Sequence, residues 1–171
     1  MSNQPKSISS EVSPEYGDAY SMAPRVQLVD VKMVDHAFVE AVPMRSSRQV
    51  VAFVRDRIAL CTKEHFICMF LNARHQVTGY QIVSVGTAVA ALVHPREVFQ
   101  LAILQNASAI VIAHNHPSGD PAVSPEDLAI TRRLCEVADV IGIEVIDHVI
   151  VGGDRYTSFL DQRLPPFTDR A

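Results

Sequence analysis

The sequence predicts an α/β fold, with a mixed β-sheet flanked by helices on both faces, and three observations support this. Short apolar runs bounded by turn residues alternate with longer segments of helical spacing, the pattern of strands that pair in one sheet and pack under helices. Two of those runs, residues 65–72 and 76–85, are separated by only a short polar turn, so they form a hairpin and the sheet cannot be purely parallel. Finally, a chain of 171 residues with 48% hydrophobic and 20% charged side chains suffices for one domain with a full core, and is too short for two comfortable ones.

The elements follow in order. Residues 1–24 mix Ser, Pro, Glu, Asn and Gly with few apolar side chains and are expected to form a flexible arm. Residues 25–44 form a lead-in in which VQLVDVKMV alternates apolar and polar side chains, as an edge strand would. Ser46 and Ser47 are placed to cap a helix running to about Leu60, with Val50, Val51, Val54 and Ile58 as its apolar stripe. The run HFICMFLN at 65–72 is apolar almost throughout and reads as a buried strand, turned at Asn72-Ala73-Arg74 into its partner. Pro95 opens a second helix that carries Val98, Leu101 and Ala102 and stops near Asn106. SAIVIA at 108–113 is a strand that delivers the chain to His114. A third helix starts at Ser124 and runs to about Ile141, with Leu128, Thr131, Leu134, Cys135 and Ala138 on one face. IEVIDHVIV at 143–151 is a last strand, closed by Gly152-Gly153, and residues 163–171 are expected to be a loose tail.

Composition excludes several classes of function. No apolar run is long enough to cross a bilayer, and the stretch from Met1 to Ser21 lacks the basic and apolar segments of a secretory signal. The cytoplasm is therefore the expected compartment, and no membrane partner is expected. Cys61, Cys68 and Cys135 form no C-x-x-C pair, which argues against a disulfide framework or a thiolate zinc site and for buried free thiols. A net charge of −4 gives no electrostatic reason for tight, sequence-independent DNA binding.

Chemistry concentrates in HNHPSGDPAVSPED, residues 114–127. Side chains alternate along an extended segment, so His114 and His116 point to one side and can meet one ion. Ser124-Pro125-Glu126-Asp127 supplies a helix cap, a first-position proline and an acidic first turn, which fixes where Asp127 projects. The cap explains Ser124 and Asp127 but leaves the histidine pair unexplained. Two imidazoles and a carboxylate form a three-ligand set for Zn²⁺, with bonds of about 2.0–2.2 Å and a fourth position for water. An open position points to catalysis, because water bound there has its pKa lowered to roughly 7.

The spacing H-x-H-P, six residues, then S-x-x-D resembles the JAMM (MPN+) metalloprotease motif, carried here by His114, His116, Pro117, Ser124 and Asp127. The flanking stretches ALVHPREVFQLAILQNASAIVIAHNHPSGDP and IEVIDHVIVGG are closer to its RadC-like branch, and the resemblance spans about residues 45–160, within a domain expected over 45–162. It implies a JAB/MPN, cytidine-deaminase-like three-layer sandwich, one Zn²⁺ per chain, and hydrolysis of a peptide or isopeptide bond in a peptide or protein substrate. It also implies that Glu64, in KEHFICMF, takes a proton from the zinc-bound water and passes it to the leaving amine, and that Ser124 hydrogen-bonds the tetrahedral oxyanion. A capping Ser accepts with its lone pair, so its own O–H is expected to be free for that duty. Read without the resemblance, Glu64 is an ordinary solvated Glu at a strand edge. Glu97 reads as a first-turn helix acid and Glu144 as solvent-facing.

Asn115 departs from the Ser or Thr between the histidines of deubiquitinase-type members. RadC-like proteins also carry a helix-hairpin-helix region linked to DNA, which the arm at residues 1–24 is expected to be too short to contain. A DNA-associated accessory protein with a metal site is therefore the competing expectation, favoured only by the family link and Arg132-Arg133, which otherwise read as a solvated helix face. His94, before Pro95, is expected either to line the cleft or to make a structural hydrogen bond. His148, in an apolar strand, reads as a satisfied core histidine.

Overall fold

The computed structural model of the protein describes residues 43–86 and 93–168. The arm expected over 1–24 and the edge strand expected within 25–42 lie outside the described residues. The elements match the expected class: α1 (Ser47–Ile58), β1 (Glu64–Leu71), β2 (Val77–Gly86), α2 (Pro95–Leu104), β3 (Ala109–Asn115), α3 (Pro125–Ile141), β4 (Glu144–Gly152) and β5 (Arg155–Ser158).

The strands form one sheet in the order β2-β1-β3-β4-β5. Strand β1 runs antiparallel to both β2 and β3, β3 runs parallel to β4, and β5 returns antiparallel to β4. The sheet is therefore mixed, and the parallel pair β3–β4 is joined through α3 as a βαβ crossover must be. Every residue of central β3 is buried, as its unbroken apolar run requires with helices on both faces.

Alternation along the strands divides the core into two layers. Ile67, Met69 and Leu71 of β1 and Val111 and Ala113 of β3 pack under Val50, Val54 and Ile58 of α1. Phe66, Cys68 and Phe70 with Ile110 and Ile112 pack under Val98, Phe99 and Ala102 of α2 and Ile130, Leu134 and Ala138 of α3. Fully buried side chains such as Phe66, Phe70 and Leu134 each contribute about 1.5–3 kcal/mol. A register shift between Ile110 and Val111 pairs Ile110 with Val145 but Val111 with Asp147. That irregularity brings His148 opposite Ile112, on the α3 face, where regular pairing would have set it on the α1 face.

Several expectations need adjustment. Helix α1 ends at Ile58, and Leu60 is 98% exposed. Ser46 has the extended backbone of an N-cap, yet its side chain caps nothing. Gln49 Oε1 instead accepts the Arg45 N–H at 2.8 Å. Strand β5 went unpredicted, although a two-residue Gly153-Asp154 turn links Gly152 to its partner Arg155. Gly153 takes the positive φ of 56° that such turns demand. The segment expected as a loose tail is anchored at its start, because Phe167 is fully buried and packs edge-on to Phe159 at 6.5 Å.

Candidate metal centre

The site forms where β3 ends and α3 begins. Strand β3 delivers His114 on the α3 face, and the chain then turns so that His116 N–H donates to the Val151 carbonyl at 2.8 Å and Gly119 N–H to the His116 carbonyl at 3.0 Å. Gly152 permits that loop to lie against β4. A Cβ there would stand 2.8 Å from Pro121 N and 2.9 Å from the carbonyl carbons of Asp120 and Gly119.

The first turn of α3 supplies the third side chain. Ser124 is the N-cap, Pro125 follows, and a full capping box joins Ser124 to Asp127. In it Asp127 N–H donates to Ser124 Oγ at 3.1 Å and Ser124 N–H to Asp127 Oδ2 at 2.9 Å. The Asp127 carboxylate thereby faces both imidazoles, with Oδ1 3.1 Å from His114 Nε2 and Oδ2 3.6 Å from His116 Nε2. The two Nε2 atoms are 3.0 Å apart. One donor atom from each of the three residues lies within 4.8 Å of the others, and among the described residues this is the only cluster of its kind.

The surroundings suit a cation. His116 Nδ1 lies 2.8 Å from the Asp120 carbonyl, which can only accept, so Nδ1 carries the hydrogen and Nε2 turns its lone pair inward. Burial alone would raise the Asp127 pKa, but the imidazoles of His114 and His116 beside the carboxylate outweigh it and hold the carboxyl well below the usual carboxylate range. The Asp127 carboxylate beside it raises the pKa of His116 above its ordinary value, with Glu64 adding to the effect. Electron-rich atoms this close repel unless a positive charge, as a proton or a metal ion, lies among them. The donor set of two imidazole nitrogens and one carboxylate fits a divalent ion such as Zn²⁺. The side chain of His116 keeps 15% of its surface exposed against 2% for His114, so the cluster is reached from solvent on the His116 side.

Each expected site residue has a place. Antiparallel pairing sets Phe66 opposite His114, and Glu64, two residues earlier on the same face and half-buried, lies toward His116. Ser124 departs from expectation: its O–H is not free but donates to Asp127 Oδ2 at 2.7 Å, the strongest acceptor beside it. His94 makes a structural bond, its Nδ1 capping α2 by accepting the Arg96 N–H at 3.1 Å. Arg132, Arg133 and Glu144 are exposed, and Glu97 occupies the first turn of α2. Cys68 and Cys135 are buried and form no disulfide, and burial pushes the Cys68 thiol up.

Sequence reasoning missed a supporting layer. Asn115 is fully buried on the far side of β3; its Oδ1 accepts the His65 N–H at 2.7 Å while Nδ2 donates to the carbonyls of Cys61 at 3.2 Å and Lys63 at 3.1 Å. It ties the histidine motif to the loop that delivers Glu64. His148, also fully buried, places Nε2 2.8 Å from His114 Nδ1 and Nδ1 2.6 Å from Thr131 Oγ1. The ring of Phe66 stacks on His114 and that of Phe159 on His148. Spacing alone hinted at one of these, since Thr131 stands one helical turn after Asp127.

A mixed sheet between helical layers, carrying H-x-H at a strand end and a capped aspartate on the next helix, defines a JAB-type α/β domain with a candidate metal centre. The family model described as the RadC-like JAB domain matches residues 44–164, and the chain belongs to that family. It is 50% identical over 129 residues to a UPF0758 protein of Symbiobacterium thermophilum, covering 72% of this chain and 55% of that one. UPF0758 proteins of Moorella thermoacetica and Listeria monocytogenes are 46% and 44% identical, over 71% and 72% of this chain and 53% and 55% of theirs. The chain thus spans about half the length of the curated relatives it matches. No helix among the described residues is long and apolar enough to cross a membrane.

Proposed function

We propose that the protein is a zinc-dependent hydrolase of peptide or isopeptide bonds, holding one Zn²⁺ per chain through His114, His116 and Asp127. The observation that carries this reading is the convergence of His114 Nε2, His116 Nε2 and an Asp127 oxygen within 4.8 Å, just where a buried strand ends. A divalent ion there supplies Lewis-acid polarisation of a carbonyl and lowers the pKa of water to roughly 7.

The chain's own residues divide the remaining work. The Glu64 carboxylate accepts a proton from the attacking water as its oxygen bonds to the carbonyl carbon, then returns that proton to the amide nitrogen as the C–N bond breaks. The products are a carboxylate and an amine. Ser124 rotates its O–H from Asp127 Oδ2 toward the developing oxyanion and keeps its lone pair on the Asp127 N–H. Asn115 holds the Cys61–Lys63 loop, and with it the start of β1, against the strand that carries the histidines.

The test compares purified wild-type protein with Glu64→Gln for bound metal and for release of new amino groups from a mixture of peptides and isopeptide-linked proteins. About one zinc per chain in both, with hydrolysis in the wild type alone, is the expected result. Full turnover by Glu64→Gln, or undiminished turnover after the metal is stripped, would overturn the reading.

A further inference from the structure

We propose that Thr131 and His148 are positioning residues that lock His114 in the one tautomer able to bind a metal ion. The proposal rests on reading His114, His116 and Asp127 as a metal centre, and it is carried by a buried chain of hydrogen bonds whose direction can be worked out link by link.

Thr131 has a single hydroxyl hydrogen and two neighbours competing for it. Its Oγ1 lies 2.5 Å from the main-chain carbonyl of Asp127 and 2.6 Å from His148 Nδ1. A carbonyl oxygen can only accept, so the hydrogen goes there, and His148 must be the donor in the second contact, with its hydrogen on Nδ1. Thr131 and His148 are both 0% exposed, so no solvent stands in for either partner. The His148 ring is fully buried against Phe66 and Phe159, and neither group at its nitrogens, Thr131 Oγ1 or His114, is an anion that would favour a charge there, so the ring is neutral. Its Nε2 therefore bears a lone pair, which at 2.8 Å accepts from His114 Nδ1–H. That leaves His114 Nε2 with its lone pair turned toward His116 and Asp127, the orientation a metal ligand needs.

The opposite arrangement fails at both ends. A Thr131 hydrogen aimed at His148 would leave two oxygens 2.5 Å apart with nothing between them. It would also put a hydrogen on His148 Nε2, displace the one on His114 Nδ1, and force the His114 hydrogen onto Nε2, where the ion has to sit. His116 has its own lock in the Asp120 carbonyl. Because Thr131 bonds the backbone of Asp127, the relay closes a ring through two of the three ligands, from His114 to His148 to Thr131 to Asp127 and back to His114. Neither Thr131 nor His148 is one of the three converging ligands.

The test is long-range ¹H–¹⁵N correlation of the imidazoles in histidine-labelled, metal-free protein, beside zinc affinity measured against a competing chelator. The wild type is expected to show His148 protonated on Nδ1 only, and His114 protonated on Nδ1. Thr131→Val, nearly the same shape, is expected to shift His148 toward the Nε2–H form and to weaken zinc binding by about 10–100-fold, and Thr131→Ser is expected to restore both. A His148 hydrogen on Nε2 in the wild type, or a folded Thr131→Val that binds zinc as tightly as the wild type, overturns the proposal. The wild-type spectrum decides even if Thr131→Val fails to fold. Failure of the wild type to take up zinc at all counts against the metal centre, whereas the wrong tautomer counts against the relay alone.

Discussion

Asp127→Asn separates the two parts that Asp127 plays, because asparagine keeps the shape and one acceptor oxygen but loses the charge. As the third residue of α3, Asp127 accepts the Ser124 N–H, and a capping bond of this kind stabilises by about 1 kcal/mol. Asparagine retains that bond. What it forfeits for folding is the attraction between a carboxylate and the helix N-terminus, about 0.3–1 kcal/mol, together with the contacts to His114 and His116, so the metal-free variant should fold but melt below the wild type. Metal binding should respond very differently. At the 3.1 Å that separates Asp127 from His114, one pair of unit charges interacts with about 5 kcal/mol at an effective dielectric constant of about 20. If desolvation cancels half, the loss is about 2.5 kcal/mol, and zinc binding weakens by about 70-fold even before the ion's second charge is considered. The substitution also removes the largest influence holding the His116 pKa above its ordinary value, so that pKa should fall. The assays are thermal melts of metal-free protein, competition with a zinc chelator, and an NMR titration of the histidines. Zinc affinity unchanged in Asp127→Asn, or a metal-free variant that no longer folds, would show that the two roles do not divide in this way.

Asp147 predicts a pH dependence unrelated to the metal. Burial raises its pKa from 3.8 to about 6, although Ser158 Oγ and Leu160 N–H both donate to it. A folded-state pKa above the unfolded one means that the stabilisation is present below pH 3.8 and is lost as pH rises through about 6, a cost of about 3 kcal/mol at neutral pH. Asp147→Asn should therefore melt a few degrees above the wild type at about pH 7.5 and level with it at about pH 3; a lower melting temperature at the higher pH would contradict this. Asn115→Ala strips three buried hydrogen bonds and should cost about 2–4 kcal/mol, lowering hydrolysis through Glu64 while zinc stays bound. Unchanged turnover with the same loss of stability would limit Asn115 to the fold.

Legibility in the sequence tracked how local each determinant is. Helix α3 was readable at its start because Ser124 and Pro125 are neighbours of the residues they cap, and β3 because its seven residues are all buried and mostly apolar. His114, His116 and Asp127 lie close together in the chain, and alternation followed by a fixed helix start was enough to bring them together. His148 is different, since its side of the sheet depends on the register shift beside Ile110, which no pattern within β4 encodes. Asn115 reaches back fifty residues to the backbone around β1, and a side chain seeking main-chain partners leaves no partner residue type to recognise. Ser124 was misread in one respect, because the carboxylate three residues away that completes its capping box also accepts its hydroxyl.

X-ray absorption at the zinc edge of the purified protein, beside its metal content, puts the three-ligand centre to the sharpest trial. The structure predicts about one zinc per chain with a first shell of nitrogen and oxygen only, at about 2.0–2.1 Å, including the scattering pattern of two imidazoles. A zinc-free protein that takes up none when the ion is added, or a shell containing sulfur at about 2.3 Å, would rule that centre out.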